Sequence, residues 1–133
     1  NVHIVDVGAR MGGNLIGSHI IPMGTGIDYM GNMIRAAVGD TTNWKPEWQP
    51  KPVATRLLAL TPGRIKKLPN FDKMAAECNV LIEHHLYVGD TITPYRTNLD
   101  GCGYVVASNL DVNLSIEQAA EVRSLIDKSI ERE

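Results

Sequence analysis

Three prolines within seven residues, Pro46, Pro50 and Pro52, set the firmest limit on what this chain can fold into. Proline lacks a backbone N–H and fixes its own φ, so this stretch excludes both a regular helix and a central strand. The surrounding segment, 41–52, also carries Trp44, Trp48, Lys45, Glu47 and Lys51. It reads as an ordered crossover in which the tryptophans plug apolar gaps. The alternative is an exposed aromatic recognition surface. Either way it divides the chain into a first piece, 1–40, and a second, 53–133.

The first piece is organised by its opening. Val2, Ile4, Val5 and Val7 form an apolar, β-branched run that reads as a mostly buried strand. It delivers Asp6 to a glycine turn, Gly8-Ala9-Arg10-Met11-Gly12-Gly13. A carboxylate can hold a cation, an arginine can grip an anionic oxygen, and glycines let backbone approach a ligand closely. A solvated Asp and Arg flanking an ordinary turn is the bland alternative. The stretch Gly12–Gly24 is expected to be loop, punctuated by Gly12, Gly13, Gly17, Pro22 and Gly24. Amides around Gly12, Gly13 and Asn14 suit an anion-binding nest. Neither a Walker A loop nor a dinucleotide fingerprint fits the spacing. Thr25 is expected to cap a helix running to about Val38, with Asp28 in its first turn and Gly39 as its stop. Ile27, Met30, Ile34, Ala37 and Val38 share one face of that helix, and Met23, Met30 and Met33 read as core filling.

The second piece alternates short apolar runs with turns. Strands are expected over Val53–Leu60, from Arg64 to Leu68 and over Val80–Val88, with a further β-rich run over Gly103–Ser108. Asn70 should cap a short helix, Phe71–Cys78. Ser115, with Gln118 in capping-box position, should open a final helix. Its apolar stripe is Ile116, Ala119, Ala120, Ile126 and Ile130, and Arg123 is expected to face water. The whole is α+β: a strand, glycine-rich loop and helix, then a small antiparallel sheet with helices on one side.

At 133 residues, 44% hydrophobic and 21% charged, the chain has the composition of a soluble globular protein that can bury one core. A net charge of -2 offers no electrostatic case for nucleic acid or an anionic membrane. No run is long enough to span a bilayer, and no basic-then-apolar leader points to secretion. A cytoplasmic location is therefore expected. The two cysteines, Cys78 and Cys102, have no zinc-like spacing and read as small buried hydrophobes. His84 and His85 are neighbours that a strand would point to opposite faces, so they do not read as one metal site. Asn1 opens directly on the apolar run, which suggests a chain cut from something longer.

In order, Asp6-x-Gly8-x-Arg10, Met11-Gly12-Gly13 and Thr25-Gly26-Ile27-Asp28 resemble the end of an ATP-grasp domain. The Gly-Ala-Arg-Met-Gly-Gly version is closest to enzymes similar to L-amino-acid ligases. Thr61-Pro62-Gly63-Arg64-Ile65 and the tail from Tyr87-Val88-Gly89-Asp90 to Gly103-Tyr104-Val105-Val106 resemble the small C-terminal domain of biotin-carboxylase-like proteins. The resemblance implies an ATP-dependent carboxylate–amine ligase working through an acylphosphate. Asp6 then stands at the family's magnesium-binding Glu, and Arg10 at the arginine that meets the substrate or its oxyanion. Met11, Gly12, Gly13 and Asn14 line the substrate pocket. Gly8 replaces an Asn that many members have, which removes one side-chain oxygen. ATP and magnesium belong to the complete enzyme, and none is expected to bind tightly to this piece, which lacks the glycine-rich lid and phosphate-reaching lysines. Its partners would be the upstream ATP-grasp portion and small carboxylate and amine substrates, and a homodimer is expected of the isolated chain. A biotin-carboxylase or carbamoyl-phosphate-synthase relative, or a non-catalytic binding module, are the alternatives.

Overall fold

The computed structural model describes residues 3–4 and 10–133. The expected strand over Val2–Val7 lies largely outside the described residues. His3 and Ile4, which are described, are exposed and carry no regular structure. The chain divides into two compact units, Asn1–Lys51 and Pro52–Glu133.

In the first unit, the segment expected to be loop is largely helical. A turn of π-helix, Ile16–Ile20, runs directly into a short helix α1, Ile21–Thr25. Pro22 is no obstacle there, because it sits in the first turn, where a missing N–H costs no helical bond. The next helix, α2, is Tyr29–Ala37, and its cap is Asp28 rather than Thr25. Asp28 Oδ1 accepts from Gly31 N at 2.9 Å. Thr25 instead closes α1, donating to Ile21 O at 2.7 Å and accepting from Ile27 N at 3.2 Å. Gly26, at φ 75°, makes the sharp turn between them.

The apolar face of α2 does not line a core. Met30, Met33, Ile34 and Val38 are all exposed, the last two at 61% and 75%. The buried residue of α2 is polar Asn32, at 2% exposure. The side of the helix that packs is therefore the one holding the chain that follows it.

In the second unit, two antiparallel three-stranded sheets replace the single expected one. Strand β1, Val53–Leu57, pairs with β5, Gly103–Ser108, in the register Val53 to Ser108 and Leu57 to Tyr104. On its other edge β5 takes β3, Leu81–His84, with Leu81 opposite Val106 and His84 opposite Gly103. The second sheet sets β2, Gly63–Lys67, between β4, Thr91–Ile92, and β6, Glu131–Arg132. Strands β1 and β3 are shorter than the apolar runs suggest. Central β5 carries an unbroken buried run, Val105, Val106 and Ala107. Leu58, Ile65, Leu86, Ala119, Val122 and Ile126 join Val105 and Ala107 in one core. Burying side chains of this size, at roughly 1.5–3 kcal/mol each, supplies the main drive for this unit to fold.

Helix α3, Phe71–Cys78, begins at its expected cap, Asn70, whose Oδ1 accepts from Lys73 N at 2.8 Å. Helix α4, Val112–Ser129, packs on β1 and β5 and starts earlier than expected. Asp111 caps it, accepting from Asn113 N and Leu114 N. Ser115 lies inside the helix and is buried, its Oγ donating to Asp111 O at 3.0 Å and accepting from Asn109 N at 2.9 Å. The buried stripe is Ser115, Ala119, Val122 and Ile126, so Ile116 turns outward and Val122 takes an inward place. Arg123 does not simply face water; it is half-buried and donates to Ala59 O.

The C-terminal end of α4 is tied down through Asp127. This carboxylate accepts from Thr61 N at 2.9 Å and Thr61 Oγ1 at 2.8 Å, and pairs with Arg132. Burial works to raise its pKa, but the Thr61 and Arg132 contacts together outweigh burial and hold it below the ordinary 3.8. A depressed folded value means that stability is present above the unfolded pKa and is lost as pH falls through the folded one. Asp127→Asn should therefore cost about 1–2 kcal/mol at pH 7. It should match the parent once the pH is low enough to protonate Asp127 in both states. Urea midpoints at neutral and acid pH check this. An equal deficit at both would show that the carboxylate charge is not involved.

Candidate functional site

Arg10, Gly12, Gly13 and Asn14 are exposed ahead of the π-helix, with Met11 between the first two. The Arg10 guanidinium reaches only its neighbour in the described chain, donating to Met11 O at 3.3 Å. A Cβ on Gly13 would meet nothing within 4 Å, so the approach to this backbone is open. Met11 behaves differently. Its half-buried side chain packs over Gly17, where a Cβ would collide with Met11 and lie 3.1 Å from the Tyr29 ring. Of the four residues expected to line a substrate pocket, Gly12, Gly13 and Asn14 are exposed and Met11 is half-buried; Arg10, the expected catalytic residue, is exposed. Asp6 lies outside the described residues. Among the described residues no three His, Cys, Asp or Glu side chains gather to hold a metal.

The turn is shaped by an unusual backbone. Asn14 and Leu15 both have positive φ, 54° and 63°. Asn tolerates this conformation, but a branched residue such as Leu does so at a cost of order 1–3 kcal/mol. The chain then closes on itself, with Ile16 N donating to Gly13 O at 3.1 Å and Ile20 N to Leu15 O at 3.0 Å. Buried packing of Gly17 beneath Met11 and Tyr29 holds the strained turn in place. Leu15 carries no sequence signal for positive φ, and its role was not foreseeable.

Asn32 was also missed. Its amide clamps the backbone of Asn43 at both groups, Nδ2 donating to Asn43 O at 2.5 Å and Oδ1 accepting from Asn43 N at 2.9 Å. Glu47 N donates to Thr25 O at 3.0 Å and Lys51 N to Gly24 O at 2.8 Å. The proline-rich segment is thereby stitched to the residues around α1 and α2. Its tryptophans do not plug apolar gaps; both are exposed, Trp44 at 43% and Trp48 at 40%. Trp44 meets Tyr29 edge to face at 5.6 Å, and Trp48 lies against Gly26 beneath Lys51. Replacing Asn32 by Leu keeps the volume but strands the Asn43 N–H and C=O. We expect a loss of about 2 kcal/mol and fast hydrogen exchange at the Asn43 amide. Unchanged protection there would show that the clamp is not what orders the segment.

The other chemical candidates are structural. His84 stacks on Phe71 with ring centroids 3.9 Å apart and accepts from Leu86 N at 3.2 Å. Both cysteines are free, and burial pushes the Cys102 thiol up, away from reactivity. No described helix is long and apolar enough to cross a membrane.

No family model matches the chain, and no curated protein matches it. Solved structures do. An L-amino acid ligase from Bacillus licheniformis matches with a TM-score of 0.68 at 20% identity, over 98% of this chain and 32% of the ligase. A phosphoribosylglycinamide synthetase from Anaerococcus prevotii matches with a TM-score of 0.64 at 13% identity, over 90% of this chain and 30% of the synthetase. The chain spans about a third of the length of each. Both neighbours are ATP-grasp enzymes, and the α+β arrangement found here is theirs. In its fold, this chain resembles the C-terminal part of an ATP-grasp enzyme.

Proposed function

We propose that the chain is the C-terminal part of an ATP-dependent carboxylate–amine ligase, a cytoplasmic enzyme. In the proposed reaction a carboxylate oxygen attacks the γ-phosphorus of ATP and ADP leaves. The amine nitrogen then attacks the acyl carbon of the acylphosphate, phosphate leaves, and the nitrogen loses a proton. Arg10 is proposed as the catalytic residue, its exposed fork gripping the substrate carboxylate and the oxyanion that develops on it. Gly12, Gly13 and Asn14 would let the substrate lie against backbone, with Met11 fixing their position. Magnesium would offset the phosphate charge. The described residues do not by themselves supply a ligand set for it, and Asp6 is proposed as one of its oxygen ligands.

The observation that carries this reading is the fold match over 98% of the chain to a third of an L-amino acid ligase. The exposed face of α2 supports it. Met30, Ile34 and Val38 recur at helical spacing yet lie open, as expected of a helix whose packing partner is the remaining ATP-grasp portion. A second use of the same face, a homodimer of the isolated chain, is favoured by the same exposure. The test is phosphate release from ATP by the full-length polypeptide supplied with amino-acid mixtures. Release that depends on two added amino acids is expected, and ATP turnover indifferent to amino acids would reject the ligase.

A further inference from the structure

Met11 is the half-buried residue in the otherwise exposed run from Arg10 to Asn14, and its seat is specific. A Cβ on Gly17 would collide with the Met11 thioether, lie 2.5 Å from Met11 Cγ and come within 3.1 Å of the Tyr29 ring. Gly17 is thus a notch in the π-helix Ile16–Ile20. Met11 fills it from the turn, and Tyr29, the first residue of α2, bounds it. An unbranched thioether suits such a gap beside an aromatic ring.

The ring of Tyr29 is itself anchored. Trp44 meets it edge to face, with centroids 5.6 Å apart and planes 70° from parallel. Such pairs contribute about 0.5–1.5 kcal/mol beyond their buried area. Trp44 Nε1 donates to Thr42 Oγ1 at 2.9 Å. The residue before it, Asn43, is the one clamped by buried Asn32. Contacts therefore run from the clamped crossover through Trp44 and Tyr29 to Met11, which is bonded to Arg10. The turn has need of a brace. Leu15 holds a strained positive φ. Gly12 and Gly13 give little backbone restraint of their own, and the described hydrogen bond of Arg10 reaches only Met11 O.

We propose that Tyr29 is a positioning residue for Arg10: through Met11, its ring fixes the backbone on which the guanidinium is mounted. The proposal rests on the reading of Arg10 as the catalytic residue, but the brace itself is open to test without any reaction. Misplacing a reacting group by about 1 Å can cost on the order of 10²-fold in rate, so a brace of this kind is felt in turnover.

Trypsin supplies the readout. Lys45 and Lys51 are each followed by proline, so within the first unit trypsin can cut after Arg10, in the turn, and after Arg35, inside α2. In the full-length polypeptide, Tyr29→Leu should speed cleavage after Arg10 about tenfold and leave cleavage after Arg35 unchanged, because a loosened turn opens locally whereas global unfolding exposes both bonds. Gly17→Ala should act alike by another route, since the flexible Met11 side chain must leave the notch while alanine suits a helix. It carries the test should Tyr29→Leu fail to fold. Tyr29→Phe keeps the ring and should match the parent. In the proposed reaction, Tyr29→Leu and Gly17→Ala should lower kcat about tenfold with KM within about threefold of the parent. Cleavage after Arg10 within about twofold of the parent, or equal acceleration at both bonds, would show that no such brace exists. Tyr29→Phe as damaging as Tyr29→Leu, or faster cleavage with unaltered kcat, would remove Tyr29 from the positioning role. A parent without ligase activity would reject the reading of Arg10 and the positioning role with it, while the cleavage pattern would still show whether the brace exists.

Discussion

Gly103→Ala should destabilise the second unit by about 3 kcal/mol or more, among the larger single-residue effects a domain shows. Two causes act together. Gly103 has a φ of 143°, a conformation that residues with a side chain rarely adopt. An added Cβ would also run into the backbone of the neighbouring strand, against Glu83 O and 2.7 Å from His84 Cα. Backbone cannot rotate away as a side chain can, so β3 must separate from β5 where His84 opposes Gly103. Gly89 offers the control. Its φ is 98°, but a Cβ there meets nothing within 4 Å, so Gly89→Ala carries the conformational cost alone, about 1 kcal/mol. Gly63 lies between, since its Cβ would come only as near as 3.2 Å to the Arg132 side chain, a tight contact but not a collision with backbone. Urea midpoints by circular dichroism should rank Gly103→Ala well below the other two. Hydrogen exchange should lose protection first in β3. A midpoint shift no larger than that of Gly89→Ala would show that the close approach of the two strands is not needed.

Why some elements could be read from the sequence and others could not follows from where their signals lie. Asn70 announces α3 because a capping side chain, an apolar first residue and a helical stripe occur together, with no competing cap nearby. Gly63 after Pro62 marks the start of β2 for the same local reason. The starts of α2 and α4 were displaced because each has two residues able to cap. Thr25 and Asp28 compete at the first, Ser115 and Asp111 at the second. Tertiary partners decide between them: Gln118, expected to close a capping box, donates instead to Cys78 O at 2.6 Å and accepts from Asn109 Nδ2. A buried serine at the head of the α4 stripe further disguised its phase. The helical character of 16–25 was hidden by Gly17, Pro22 and Gly24, residues that usually mark loops. Here Pro22 occupies a permitted first turn, and Gly17 is small because Met11 and Tyr29 come close. Of the candidate site, the ordered motifs around Arg10 and Gly26 carried the resemblance on which the fold expectation rested. The clamp from Asn32 to Asn43 spans eleven residues and has no periodic signature, so only the folded chain reveals it.

If Arg10 acts as proposed, Arg10→Ala in the full-length polypeptide should lower kcat/KM for the proposed ligase reaction by about 10²–10³, the usual loss when one preorganised donor to a developing oxyanion is removed. The same change should leave the unfolding midpoint almost untouched. Arg10 is exposed, and its described hydrogen bond runs to the carbonyl of the next residue. That combination separates a catalytic role from a structural one. Arg10→Lys should recover only part of the activity. An ammonium retains the charge but cannot present two parallel donors to a carboxylate, so the loss should fall more on kcat than on KM if the second donor matters mainly in the transition state. Gly13→Ala supplies a further check that leaves every charge in place. Its Cβ would project into open space and strain nothing, yet it would occupy the backbone surface against which the substrate is proposed to lie. It should therefore raise KM while sparing stability. Activity of Arg10→Ala within about threefold of the parent would remove Arg10 from the reaction, since so small a change corresponds to less than 1 kcal/mol of transition-state binding. The exposed turn at Gly12, Gly13 and Asn14 would then have to be explained as a packing feature of the π-helix that follows it.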